Sequence, residues 1–277
     1  MKLLTALVLI LTLTLPALAE PAENIALDAP FEADLNGDGV SETLTWRYAG
    51  DGDGEDCLCL EVTSGAQTAD YPTAISHDEA MWLTDMGGPA LVVTGHDEDG
   101  EGRTLVLRYT ADGRIREVMF RADDREKVAE EYYSPAGYGI LVSMSGDEIT
   151  LEAQADVLGS WRARRGYVLN ENDRFVFTDA PWQSAEDPEN PESWSFPALT
   201  TVRSLEYTDD NGDTDALQAG TQLLITETDK ESVARFVTRD GVTGTLSLFP
   251  GYDSDPFNYS VGDVPETELF RFVPYVG

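Results

Sequence analysis

Basic residues, histidine, cysteine and long apolar runs are all scarce in this chain. Its 277 residues hold 18 Lys and Arg against 52 Asp and Glu, with two histidines and two cysteines. So few cations argue against a nucleic-acid partner, because binding to phosphate needs Lys and Arg to displace counterions. The same shortage argues against adsorption to anionic membranes. With His77 and His96 as the only imidazoles, a Ser-His-Asp triad has little to draw on, and no Gly-x-Ser-x-Gly or His-Glu-x-x-His motif occurs. Two thiols cannot supply a tetrahedral zinc cage. Cys57 and Cys59 lie in an alternating stretch, where side chains two apart share a face but run parallel, a poor geometry for a disulfide. They read as small apolar fillers or as a strained, reducible link. Beyond residue 19 no apolar run is long enough to span a bilayer as a helix.

What is present begins with a leader. Lys2 precedes an apolar run over 3–15, then Pro16 and Ala17-Leu18-Ala19. That pattern predicts an export signal cleaved behind Ala19, and so a secreted or extracytoplasmic protein. The mature chain then carries a formal charge of −35, from 17 basic and 52 acidic residues. Its partners are expected to be cations, basic surfaces or neutral polymers, among them a cell-wall polymer or an extracellular protein; the charge also serves plain solubility.

The rest of the sequence alternates between short apolar-polar runs and Gly/Asp/Asn clusters, predicting an all-β protein. Strands are expected at 43–48, 57–62, 90–94, 104–109, 115–120, 140–143, 148–153, 166–169 and 175–178. A helix or helical turn is expected over 121–133. The segments 109–114 and 169–174 look like equivalent turns, which suggests units at 31–71, 82–120 and 138–178. A period of roughly forty to fifty residues suits propeller blades, and an ordinary antiparallel sandwich is the plainer alternative; three units are fewer than a closed ring uses, so a partial or irregular propeller or a curled antiparallel sheet fits the length better. Four prolines and several acids over 181–199 predict a linker, with Trp182 and Trp194 pinning it to a domain. The predicted organisation is a leader (1–19), a β-rich repeat domain (20–180), the linker (181–199) and a small β-domain with an aromatic tail (200–277). Further strands are expected at 221–226, 232–238 and 243–249.

The sharpest motif runs from Asp34 to Glu42. Side-chain oxygens fall at Asp34, Asn36, Asp38 and Glu42, Gly39 permits a sharp turn, and Val40 offers its carbonyl. Ca²⁺ takes six to eight oxygens in such a wrap. An EF-hand would need a glutamate where Thr45 stands, so the flanking elements are expected to be strands. The alternative is an Asp/Asn/Gly turn without an ion. Looser acidic turns at Asp51–Asp56, Asp97–Glu101 and Asp209–Asp215 read as solvated turns.

With Phe31 ahead and Glu42 closing, this segment resembles the calcium loops of FG-GAP and VCBS-type repeats. The resemblance implies a blade-like β-unit with Asp34, Asn36, Asp38, Glu42 and the Val40 carbonyl as Ca²⁺ ligands. The strand pattern of 200–249 resembles a bacterial SH3-like domain, a module that binds cell-wall peptide or acts as a spacer. Ser232-Val233 and Gly244-Thr245 stand where that family often carries Trp. Stacking on a ligand would therefore fall to Phe249, Tyr252, Phe257 and Tyr259, unless these rings pin the tail. The leading functional reading is a secreted, calcium-stabilised, non-catalytic binding or scaffold protein. The alternative is a secreted glycan hydrolase using paired carboxylates.

Overall fold

Inward alternation builds the first sheet. Leu44 and Trp46 on strand Glu42–Gly50, and Leu58, Leu60 and Val62 on strand Asp56–Ser64, are all buried. With Phe31–Ala33 and Gln67–Pro72 these strands form a four-stranded antiparallel sheet in chain order. In this computed structural model the described residues are 23–50, 56–121, 133–194, 198–251, 258–273 and 275.

The second sheet is built from His77–Asp85, Pro89–His96, Gly102–Tyr109 and Ile115–Glu117, edged by Glu23–Ile25 and Ala136–Tyr138. Its central strands are apolar on both faces. Leu91, Val93, Leu105 and Leu107 enter the core of the first sheet, while Ala90, Val92 and Val106 face the third. Burial on both faces is why these strands read as continuous apolar runs. The third layer comprises Ile140–Ser145, Glu148–Asp156, Ser160–Leu169 and Arg174–Phe177. There Phe120 stacks on Phe175 at 4.7 Å, inside a core that includes Ile149, Leu151 and Tyr167. Met119–Arg121 joins Arg174–Phe177 in parallel. The segments 31–71, 82–120 and 138–178 fall mainly on the first, second and third layers, with Met119–Arg121 crossing into the sheet of the third.

The chain is nearly all β, in several antiparallel sheets, none of which closes among the described residues. The helix or helical turn expected over 121–133 falls largely on 122–132, outside the described residues; Arg121 and Tyr133 at its ends are antiparallel strand partners. The helix Glu266–Leu269 has four residues, and no helix among the described residues is long and apolar enough to cross a membrane.

The hairpin Glu148–Asp156/Ser160–Leu169 serves two cores. Its open end carries Ile149, Leu151 and Tyr167 into the third layer. Its tip carries Ala155, Val157, Leu158, Trp161 and Ala163 into a separate core with Leu223, Phe236, Leu246, Tyr259 and Phe270. That core belongs to the C-terminal strands: the meander Gln222–Thr228, Val233–Thr238, Thr243–Pro250 and Tyr259–Val261, with the hairpin Leu205–Thr208/Thr214–Leu217 added on Thr243–Pro250. Between them, within the proline-rich stretch, strand Trp182–Ser184 pairs with Ser160–Leu169 on one side and Gln222–Thr228 on the other. Trp182 and Trp194 are both buried, and the Trp194 indole donates to the Asp187 carbonyl at 3.0 Å.

One turn recurs. At 97–101, 110–114, 170–174, 209–213 and 238–242 the first amide donates to the fifth residue's carbonyl, and the fourth amide donates back to the first carbonyl. The fourth residue has positive φ each time: Gly100, Gly113, Asp173, Gly212 and Gly241. This is the three-residue hairpin loop with a left-handed bulge residue. The equivalence expected for 109–114 and 169–174 is thus part of a wider pattern.

Candidate functional site

Position on the strand puts Glu42 in an unusual place. It shares the inward face of Glu42–Gly50 with Leu44 and Trp46, so its carboxylate is fully buried, at 0% exposure. Burying a charge is costly unless it is paired or hydrogen-bonded. Three neutral donors meet it: the Leu35 amide at 2.8 Å, the Asn36 side-chain amide at 3.4 Å and the Ser64 hydroxyl at 3.3 Å. Among the described residues it has no basic partner. Leu35, itself buried in the first core, anchors the loop from the opposite end.

The remaining oxygens curl around the same turn. Asp34 accepts from the Asp38 amide at 3.0 Å and the Gly39 amide at 2.8 Å. Asn36 Oδ1 accepts from the Asp38 amide at 2.9 Å, and Asp38 Oδ1 accepts from the Val40 amide at 2.8 Å. Gly37 and Gly39 take φ of 75° and 87°, a conformation that glycine adopts without penalty. Asn36 Nδ2 stands between Asp38 Oδ2, at 3.2 Å, and Glu42 Oε1. The structure therefore brings Asp34, Asn36, Asp38 and Glu42 into one hydrogen-bonded loop. It does not gather the three carboxylates to within 4.8 Å of one another. The donor type suits Ca²⁺, since every side chain offers oxygen. The bridging amide N–H supplies partial positive charge where a cation would supply a full one.

The looser acidic turns are built differently. Asp97 accepts from the Asp99 and Glu101 amides at 3.1 and 2.9 Å and pairs with Arg103 at 2.7 Å. Burial acts to raise its pKa, but those hydrogen bonds and Arg103 outweigh it and the net shift is downward. Asp209 likewise accepts from the Asn211 and Asp213 amides. In both, the leading carboxylate closes the recurrent hairpin turn. The turn at 51–55 lies outside the described residues.

Of the aromatic residues predicted to bind ligand, Phe249 and Tyr259 are described, and they differ sharply in exposure. Phe249 is 55% exposed near the end of its strand. Tyr259 is 1% exposed, packed in the C-terminal core with its hydroxyl donating to the Lys230 carbonyl at 3.0 Å, and has no face free for stacking. Tyr252 and Phe257 lie outside the described residues. A groove of about 510 Å³ runs elsewhere on the same module, lined by Glu206, Tyr207, Thr245 and Asp263 among others. Cys57 and Cys59 are unbridged, with their sulfurs 3.6 Å apart on the outer, half-buried face of their strand; the core face belongs to Leu58 and Leu60. Burial, then the neighbouring Cys57, push the Cys59 thiol up to about 11.

Sequence reasoning gave His77 and His96 no role, yet the strands place them face to face. A usable signal was there: the Gly87-Gly88 turn lies midway between the two. Comparison with protein-family models, curated proteins and solved structures gave no match.

Proposed function

We propose that this is an extracytoplasmic, calcium-stabilised protein that binds or scaffolds rather than catalyses, exported by its leader and cleaved behind Ala19. One observation carries the reading: the fully buried Glu42 carboxylate, met only by neutral donors at the closing end of an oxygen-rich loop. Ca²⁺ held by Asp34, Asn36, Asp38, Glu42 and the Val40 carbonyl would replace the bridging Asn36 N–H as positive partner, once that amide turns its oxygen inward. Because Leu35 and Glu42 also belong to the first core, such an ion would be structural. The stacked layers support a propeller-like or curled arrangement of FG-GAP or VCBS-type units over 20–180. The C-terminal meander supports an SH3-like barrel over 200–277, with the tail of the linker 181–199 laid against it. Phe249 supplies an exposed ring for a cell-wall polymer or an extracellular protein.

Thermal unfolding of the mature chain in EDTA and in Ca²⁺ tests the ion. A ligand bound only by the folded state contributes about 2.7 kcal/mol at a hundredfold excess over Kd. For a chain of this size that is a rise in Tm of roughly 5–10 °C. Asp38→Ala should lose the rise and Asp209→Ala should keep it. A wild-type Tm indifferent to Ca²⁺ would end the proposal.

A further inference from the structure

His77 and His96 are the only histidines in the chain, and strand pairing sets them directly opposite one another at the open end of their hairpin. Their rings stack with centroids 5.3 Å apart and 18° between planes. In a regular strand Asp78 would point to the other face of the sheet. Here the register slips between His77 and Ala80, and Asp78 adopts φ 53°, a left-handed conformation uncommon for a residue with a side chain. That distortion returns the carboxylate to the histidines' side, with Asp78 Oδ2 3.6 Å from His96 Nδ1. One ligand atom from each of the three lies within 4.8 Å of the others, and no other trio of His, Cys, Asp or Glu among the described residues does so.

The three groups are short of other partners. His96 Nδ1 is shut off from solvent and has no hydrogen bond. Its separation from Asp78 is too long for one, yet two ligands bonded to one tetrahedral zinc at 2.0–2.1 Å stand roughly 3.4 Å apart. Ser76 Oγ donates to the His96 carbonyl at 3.2 Å and lies 3.1 Å from His77 Nδ1. With its own proton so committed, the hydroxyl accepts from Nδ1–H, which leaves the lone pair of that ring on Nε2. A hydrogen bond of this kind fixes the tautomer of metal-binding histidines. The neighbouring acids are occupied: Glu79 accepts from the Tyr48 hydroxyl, and Asp97 is paired with Arg103.

We propose that His77, Asp78 and His96 form a site for a divalent transition-metal ion of the zinc class, with solvent completing its coordination. Two imidazole nitrogens and one carboxylate suit zinc and disfavour calcium, which takes oxygen alone. The site is separate from the Asp34–Glu42 loop in residues and in donor chemistry, and stands or falls independently of it. A metal there would clamp the two strands across their slipped register.

The test is zinc titration of the mature chain in excess Ca²⁺, which fills oxygen-only sites. Because the chain has two histidines, its proton NMR spectrum has two imidazole Cε1–H signals. Both should shift and saturate at one equivalent of Zn²⁺. By calorimetry, His96→Ala and Asp78→Asn should each weaken binding about tenfold or more, while Asp38→Ala leaves it unchanged. Imidazole signals that ignore Zn²⁺ overturn the proposal, as does undiminished binding in the His77→Ala/His96→Ala double variant. The NMR readout needs no variant, so it decides the matter even if a substitution unfolds the hairpin.

Discussion

Two buried glutamates solve the same problem differently. Glu42 is met by three neutral donors. Glu266 is 1% exposed, with Oε1 accepting from the Tyr275 hydroxyl at 2.8 Å and Oε2 left without a partner. Burial pushes its pKa up to about 7, against the lowering effect of Tyr275 and the Tyr259 amide. In the unfolded chain the same carboxyl titrates near 4.5, so the folded state binds more protons between the two values. Stability from this group is therefore complete below about 4.5 and is lost as pH rises through about 7. Glu266→Gln should remove that slope: the difference in Tm between wild type and variant, measured from pH 4 to 8, should move steadily in the variant's favour. Parallel profiles would show that Glu266 titrates alike in both states. At this scale the hydrogen-bonded loop from Asp34 to Glu42 was legible, because its oxygens recur at fixed spacing along the chain. Tyr259 was not, since its burial depends on the hairpin tip 155–163, about a hundred residues away in sequence.

At the scale of elements, the recurrent turn accounts for a few of the acidic clusters. Its first residue caps amides with a side-chain oxygen, a task that Asp97, Asn170 and Asp209 all perform. Asp173 alone fills the left-handed position without being glycine. It does so while engaged by Arg108, at 3.1 Å, and by Arg116, both from the second sheet. Arg108 also donates to the carbonyls of Met86 at 2.6 Å and Gly88 at 3.1 Å, tying two layers through one guanidinium. Arg108→Ala should cost about 2–3 kcal/mol, because it orphans partly buried acceptors. Arg116→Ala, at an exposed pair, should cost under about 1 kcal/mol. Urea denaturation compares them, and equal losses would refute the distinction. Alternation revealed most strands, but His77–Asp85 escaped because Met81 is its only fully buried residue. Strand Trp182–Ser184 was hidden among prolines, and its pairing comes from partners distant in sequence.

At the scale of the molecule, the question is whether the repeat-like layers and the C-terminal meander unfold together. The ladder through Trp182–Ser184 joins them, and the 148–169 hairpin lends one end to each core. Trp161 is the largest side chain at that tip; it is 5% exposed, and its indole donates to the Val157 carbonyl at 3.0 Å. Trp161→Ala removes a buried aromatic residue and should cost about 3–5 kcal/mol. If the hairpin couples the cores, that loss reaches both. Amides of Asp56–Ser64, in the first sheet, should then lose as much hydrogen-exchange protection as those of Gln222–Thr228, beside the substitution. Coincident transitions by circular dichroism and by tryptophan fluorescence, which draws on Trp46 in the first core and Trp182 beside the hairpin tip, should shift together to lower urea. Loss of protection confined to the C-terminal strands, with the first sheet unmoved, would show instead that the tip only docks on the meander and that the layers stand alone.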